Sequence, residues 1–126
     1  MTANATLLRI VAIVDDDELM RNALEGLLKA AGMPARAFAS AEEFLESGQS
    51  QQTACLIADI RMPGMSGLEL QAKLNAEHCC IPTIFITAHG DTNLRMRALR
   101  AGATECLTKP FKNEILLSNV RAALET

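Results

Sequence analysis

Aspartates, a threonine and a lysine stand where apolar runs stop, and their types are those of metal-assisted phosphoryl chemistry. Val11-Ala12-Ile13-Val14 runs into Asp15-Asp16-Asp17, Cys55-Leu56-Ile57-Ala58 into Asp59, and Thr83-Ile84-Phe85-Ile86 into Thr87, while another short run ends at Lys109-Pro110. Crowded carboxylates repel one another unless they share a cation or a proton, and hard oxygen ligands on a loop select Mg2+ over softer metals. An ionised aspartate can attack a phosphoryl phosphorus to give an acyl phosphate. That reaction is catalysed chiefly by positioning and by neutralising charge on the transferred oxygens, for which Mg2+, an ammonium and a hydroxyl are suited. Each residue also has a plainer reading. Asp15, Asp16 and Asp17 would suit a solvated helix N-terminus favoured by the macrodipole, Asp59 the start of a turn, and Lys109 the surface. Their joint placement at the ends of different strands favours the chemical reading, with Asp59 as the nucleophile.

The elements that must carry these residues alternate between strand-like apolar runs and helix-like periodic segments, the pattern of an α/β fold with crossover helices. Strands are predicted over 8–14, 35–38, 55–59, 83–87 and 104–108, and helices over 18–31, 40–45, 66–77, 92–101 and 113–124. Leu19, Met20, Ala23, Leu24, Leu27, Leu28 and Ala31 form one stripe on the first helix, which Gly32 terminates. Ser40 with Glu43 and Ser66 with Glu69 match capping boxes, and residues 48–53 read as a polar loop. In the fourth helix Leu94, Ala98 and Ala101 share the stripe expected to be buried, leaving Met96 and Leu99 partly outward among Arg95, Arg97 and Arg100. Right-handed crossovers favour a flavodoxin-like (βα)5 doubly wound parallel sheet of order 2-1-3-4-5, which sets the first and third strands side by side. The acidic cluster would then lie beside Asp59.

At 126 residues and 49% hydrophobic content the chain fits one domain, 1–126, with no output domain inside it. A net charge of −3 argues against electrostatic binding of nucleic acid. No apolar stretch reaches the roughly 20 residues a membrane span needs, and the N-terminus lacks the pattern of a signal peptide, so the cytoplasm is the expected compartment. Cys55, Cys79, Cys80 and Cys106 do not form a zinc pattern; Cys55 and Cys106 read as small buried hydrophobes in a reducing compartment.

The motifs Val14-Asp15-Asp16-Asp17, Asp59 followed by Met62-Pro63-Gly64-Met65-Ser66-Gly67, Ile86-Thr87-Ala88 and Lys109-Pro110-Phe111 resemble the receiver domain of two-component response regulators, similar to CheY. The resemblance covers residues 8–124. The phrases Ala37-Phe38-Ala39-Ser40-Ala41-Glu42-Glu43, Ala88-His89-Gly90-Asp91 and Leu107-Thr108-Lys109-Pro110-Phe111 look most like the FixJ branch, whose receivers usually precede a helix-turn-helix domain. The resemblance implies a signalling phosphoacceptor, not an enzyme, in which Asp59 is phosphorylated by a sensor histidine kinase. It further implies Mg2+, with Mn2+ as a substitute, bound directly by Asp16, through water by Asp15, and by Asp59 and the Arg61 backbone carbonyl. Lys109, the Thr87 hydroxyl and the amides of Arg61 and Ala88 would hold the phosphoryl group, and Lys109-Pro110 would be cis. Arg61 and His89 occupy positions that tune acyl-phosphate lifetime in the family. The helix 4–strand 5–helix 5 surface, with Arg95, Met96, Leu99 and Arg100, would serve a phosphorylation-dependent homodimer, with Glu114 or Glu125 as acidic partners. One departure stands out: where the family usually has an aromatic switch residue, this chain has Cys106. Competing readings are a haloacid-dehalogenase-type phosphohydrolase using Asp15-x-Asp17, a receiver used only as a binding module, and a stand-alone regulator of a protein target.

Overall fold

Successive side chains of a strand point to opposite faces, and in Val11-Ala12-Ile13-Val14 both sets are apolar, so the strand has to be covered on both sides. The structure, a computed structural model, describes residues 9–88 and 91–125. It contains β1 (Ile10–Val14), α1 (Glu18–Ala30), β2 (Ala35–Phe38), α2 (Ala41–Glu46), a 3-10 turn (Ser50–Gln52), β3 (Thr53–Asp59), α3 (Gly67–Ala76), β4 (Thr83–Thr87), α4 (Thr92–Arg100), β5 (Glu105–Thr108) and α5 (Asn113–Leu124). The strands are parallel in the order β2-β1-β3-β4-β5, the expected doubly wound arrangement.

The two faces close differently. On one, Leu24 and Leu28 of α1 and Leu116, Val120 and Ala123 of α5 cover Val11, Ile13, Ile57, Ile84 and Ile86. On the other, Phe44 of α2, Leu70 and Leu74 of α3 and Ala98 of α4 cover Ala12, Val14, Leu56, Ala58, Phe85 and Cys106. Burying each large aliphatic side chain contributes about 1.5–3 kcal/mol, so stability resides in these two layers.

Several boundaries differ from the sequence reading. β1 starts at Ile10, and Leu8 lies outside the described residues. β3 starts two residues early, at Thr53, because Gln49 to Gln52 closes a turn whose carbonyl accepts the Thr53 hydroxyl. Thr104 precedes β5, although its N–H donates to the Thr83 carbonyl at 2.8 Å and prolongs the ladder. Ala31, Glu77 and Ala101 are C-caps, not helical residues. Ala101 is exposed, so the buried stripe of α4 stops at Ala98, the turn having ended where Gly102 takes φ +105°. The Ser66–Glu69 capping box is complete. At α2 the Ser40 hydroxyl accepts from Glu43 N–H, but the Glu43 carboxylate accepts from Ala39 N–H, one residue before the cap.

Candidate functional site

Register decides what meets at the carboxyl edge of the sheet. Val14 pairs with Ala58, Asp59 with Ile86, and Thr87 with Thr108. Asp15 therefore emerges level with Asp59, and Thr87 and Lys109 follow on the next two strands within one residue of that edge. The ladder continues into the loops through Asp15 N–H to Phe38 O, Ile60 N–H to Ile86 O and Lys109 N–H to Thr87 O, which fixes the directions in which the chain leaves the sheet.

Asp15, Asp16 and Asp59 each offer a carboxylate oxygen, and these oxygens lie within 4.8 Å of one another. Asp15 is buried, Asp59 half-buried and Asp16 exposed. Burial pushes the Asp15 carboxyl above its usual range. The bond from Asp17 N–H and the Lys109 charge oppose this, and the Asp59 and Asp16 carboxylates reinforce it. The Asp15 backbone is pinned by the Arg21 guanidinium, which donates to its carbonyl at 2.8 Å. Asp17 does not join the cluster: its carboxylate caps α1 by accepting from Leu19 N–H. Asp59 Oδ1 accepts from Arg61 N–H at 3.0 Å, and Lys109 Nζ lies 3.3 Å from Oδ2. Lys109-Pro110 is cis. Such a donor set, three carboxylates with a neighbouring carbonyl-bearing turn, has the hardness and crowding that suit a divalent cation such as Mg2+.

Thr87 is buried, and its hydroxyl does not face Asp59: it donates to Asp91 Oδ2 at 3.2 Å. The same carboxylate takes Arg61 bidentately, Nε to Oδ2 at 2.8 Å and Nη2 to Oδ1 at 3.0 Å. Arg61 accordingly holds the Asp91 carboxyl below the usual range, with Thr87 assisting. Asp91 was not singled out from the sequence, where an Asp before a helix reads as an ordinary N-cap. The available signal was an Arg two residues after one strand end and an Asp four residues after the end of its neighbour. Glu42 was missed too; its carboxylate accepts from Met65 N–H at 2.9 Å and ties the start of α2 to the turn after Asp59. His89 lies outside the described residues, and Ala88 is exposed beside it.

Cys106 is buried among Phe85, Ala98 and their neighbours, where burial is the largest cause raising its thiol above the usual range. Burial likewise pushes the Cys55 thiol up to about 12, so neither is a poised nucleophile. On α4, Met96 is exposed and Leu99 is partly buried against the core, while Arg100 is exposed. Arg95 approaches Glu105 within the chain at 3.9 Å, so one acid facing α4 lies on β5. Among the described residues no helix is long and apolar enough to cross a membrane.

Residues 11–121 match the profile described as the response regulator receiver domain. Nodulation protein W of Bradyrhizobium diazoefficiens is 45% identical over 116 residues, covering 92% of this chain and 51% of that protein. The transcriptional regulatory protein FixJ of Azorhizobium caulinodans is 40% identical over 114 residues, covering 90% of this chain and 54% of that protein. The chain thus spans about half the length of these curated relatives. The crystal structure of FixJ-N superposes with a TM-score of 0.84 at 36% identity, covering 93% of this chain and 94% of that one.

Proposed function

The chain belongs to the response regulator receiver domain family, and from that premise we propose that Asp59 accepts a phosphoryl group from a phosphohistidine of a sensor kinase. The observation that carries this reading is the meeting of the Asp15, Asp16 and Asp59 carboxylates with Lys109 Nζ 3.3 Å from Asp59. An Asp59 oxygen attacks phosphorus, the P–N bond breaks, and its electron pair leaves with the donor imidazole, which takes up a proton; the product is an acyl phosphate. Lys109 is close enough to follow the negative charge from the carboxylate onto a phosphoryl oxygen. The amides of Arg61 and Ala88 and the Thr87 hydroxyl are the remaining donors on this edge. Asp15, Asp16, Asp59 and the Arg61 carbonyl would hold Mg2+, or Mn2+ in its place. When bound, the metal neutralises both the crowded carboxylates and the charge on the transferred oxygens.

Phosphorylation would alter the α4–β5–α5 surface, promote a homodimer and act on transcription through a DNA-binding domain elsewhere in a longer protein, in the cytoplasm. The printed description of the FixJ relative as a transcriptional regulator supports this reading. The phosphohydrolase alternative fares worse, because Asp17 is spent on capping α1 and Asp15 is buried, so Asp15-x-Asp17 does not present two free carboxylates.

Incubation with acetyl phosphate and Mg2+ should add one phosphoryl group, seen by intact mass as an alkali-labile adduct. The adduct should vanish in Asp59→Asn and on chelating the metal. An adduct that survives Asp59→Asn would reassign the acceptor.

A further inference from the structure

Asp91 occupies the N-cap position of α4 yet makes no side-chain cap bond, because its carboxylate is turned instead onto Thr87 and Arg61. Its backbone shows the same diversion. The three N-caps that do bond their helices, Asp17, Ser40 and Ser66, have ψ of 112°, 162° and 169°, the extended geometry capping needs. Asp91 has ψ 54°. The other end of α4 is fastened: the Gln71 amide on α3 donates to Ala98 O and the Asn75 amide to Ala101 O, both at 3.2 Å. The helix is thus tied to α3 at its C-terminal end and attached to the phosphoacceptor edge, at its N-terminal end, through one carboxylate.

We propose that Asp91 is a positioning residue that governs phosphoryl capture by exchanging partners: it holds the Thr87 hydroxyl and the Arg61 guanidinium in the resting chain and caps α4 once the phosphoryl group takes them. This rests on the assignment of Asp59 as phosphoacceptor. A hydroxyl has a single proton to donate, so Thr87 cannot serve Asp91 and a phosphoryl oxygen at once. Arg61 keeps unused N–H groups and can begin to turn toward the new anion before it leaves Asp91. The released carboxylate faces unsatisfied amides in the first turn of α4, among the best acceptor positions for an aspartate. Reaching them requires ψ of Asp91 to rotate toward the extended region, which reorients the N-terminal end of α4 relative to the sheet. The phosphoryl group biases this equilibrium because it makes better contacts in one state than in the other. The route needs no aromatic ring at position 106, where this chain has Cys106.

The test uses beryllium fluoride with Mg2+, a phosphoryl mimic for aspartate, followed by amide NMR because the chain has no Trp or Tyr. Three variants separate the two roles of Asp91. Asp91→Asn keeps the shape and weakens the Arg61 pair. Asp91→Ala removes both holding and capping. Asp91→Ser cannot bridge Arg61 and Thr87 but can cap. In Asp91→Ser and Asp91→Ala, half-saturation should fall to about one half to one tenth of the wild-type concentration, the range expected from freeing one hydrogen bond, with Asp91→Asn in between. Amide protection in the first turn of α4 should rise on saturation of the wild type, be high already in resting Asp91→Ser, and stay low in Asp91→Ala. The Arg61 Nε–H resonance, protected in the resting wild type, should shift on saturation and lose protection in Asp91→Ala without the mimic. Wild-type binding with equal or weaker binding by both Asp91→Ser and Asp91→Ala would overturn the partner exchange alone. Failure of the wild type to bind the mimic or to take a phosphoryl group from acetyl phosphate would overturn the Asp59 assignment and this proposal with it.

Discussion

Asp15 bears the cost of building an acidic edge on a buried strand. Its carboxyl is pushed above the usual range, first by burial and then by Asp59 and Asp16. A carboxyl whose pKa is higher in the folded chain binds its proton more tightly there, so folding stability declines as pH rises from about 3.9, the unfolded value, through the folded one. At neutral pH without divalent metal, this residue destabilises the fold. Asp15→Asn keeps an acceptor for Asp17 N–H and removes the charge. It should raise the melting temperature of the metal-free chain at pH 7, flatten its decline above pH ~4, and cancel most of the gain that Mg2+ gives the wild type. Unchanged melting in both conditions would show that the charge is already neutralised by Lys109. The residues at the edge were legible because each ends an apolar run. Asp91 was not, because its type and place satisfy the ordinary N-cap rule and only the fold reveals that the cap bond is missing.

Between strand end and helix start, Gly67 sets how closely α3 can approach β3. Its N–H donates to Ile60 O at 2.8 Å, and an added Cβ would come within 2.5 Å of the Asp59 carbonyl oxygen and 2.9 Å of Ile60 Cα. Both neighbours are backbone, so relief would require α3 or the Asp59 turn to move. Gly67→Ala should therefore cost about 1–3 kcal/mol in urea unfolding and slow phosphoryl uptake from acetyl phosphate. A stability change within ~0.5 kcal/mol of wild type would mean that the turn gives way freely. The existence and order of the elements were readable from periodicity and caps. The crowding at Gly67 was not, since a glycine after Ser66 looks like any first-turn residue until two backbones are seen to meet there. For a similar reason the buried stripe of α4 was carried one turn too far: periodicity alone assigned Ala101 to it, whereas the helix stops at Arg100 and leaves Ala101 exposed.

Over the whole molecule, two different apolar layers hold the sheet while the polar groups stay on one rim. α4 shows outward mainly Met96 and arginines, away from that rim, so uptake and association should be separable. Met96→Glu should leave phosphoryl uptake within about twofold of wild type and abolish phosphorylation-dependent dimerisation in light scattering; an undiminished dimer would move the interface to another face. The doubly wound order followed from alternation of apolar runs and crossover handedness, constraints that act on the entire chain and leave few arrangements. The path from the acid edge to α4 depends on side-chain partners that no spacing rule encodes. The strands change from fully apolar to chemically active within a single residue, at Val14 before Asp15 and at Ala58 before Asp59. A lineage carrying this fold can therefore rewrite its rim with few interior repairs. Signal lifetime and partner choice can drift by point substitution while the same interior is inherited intact.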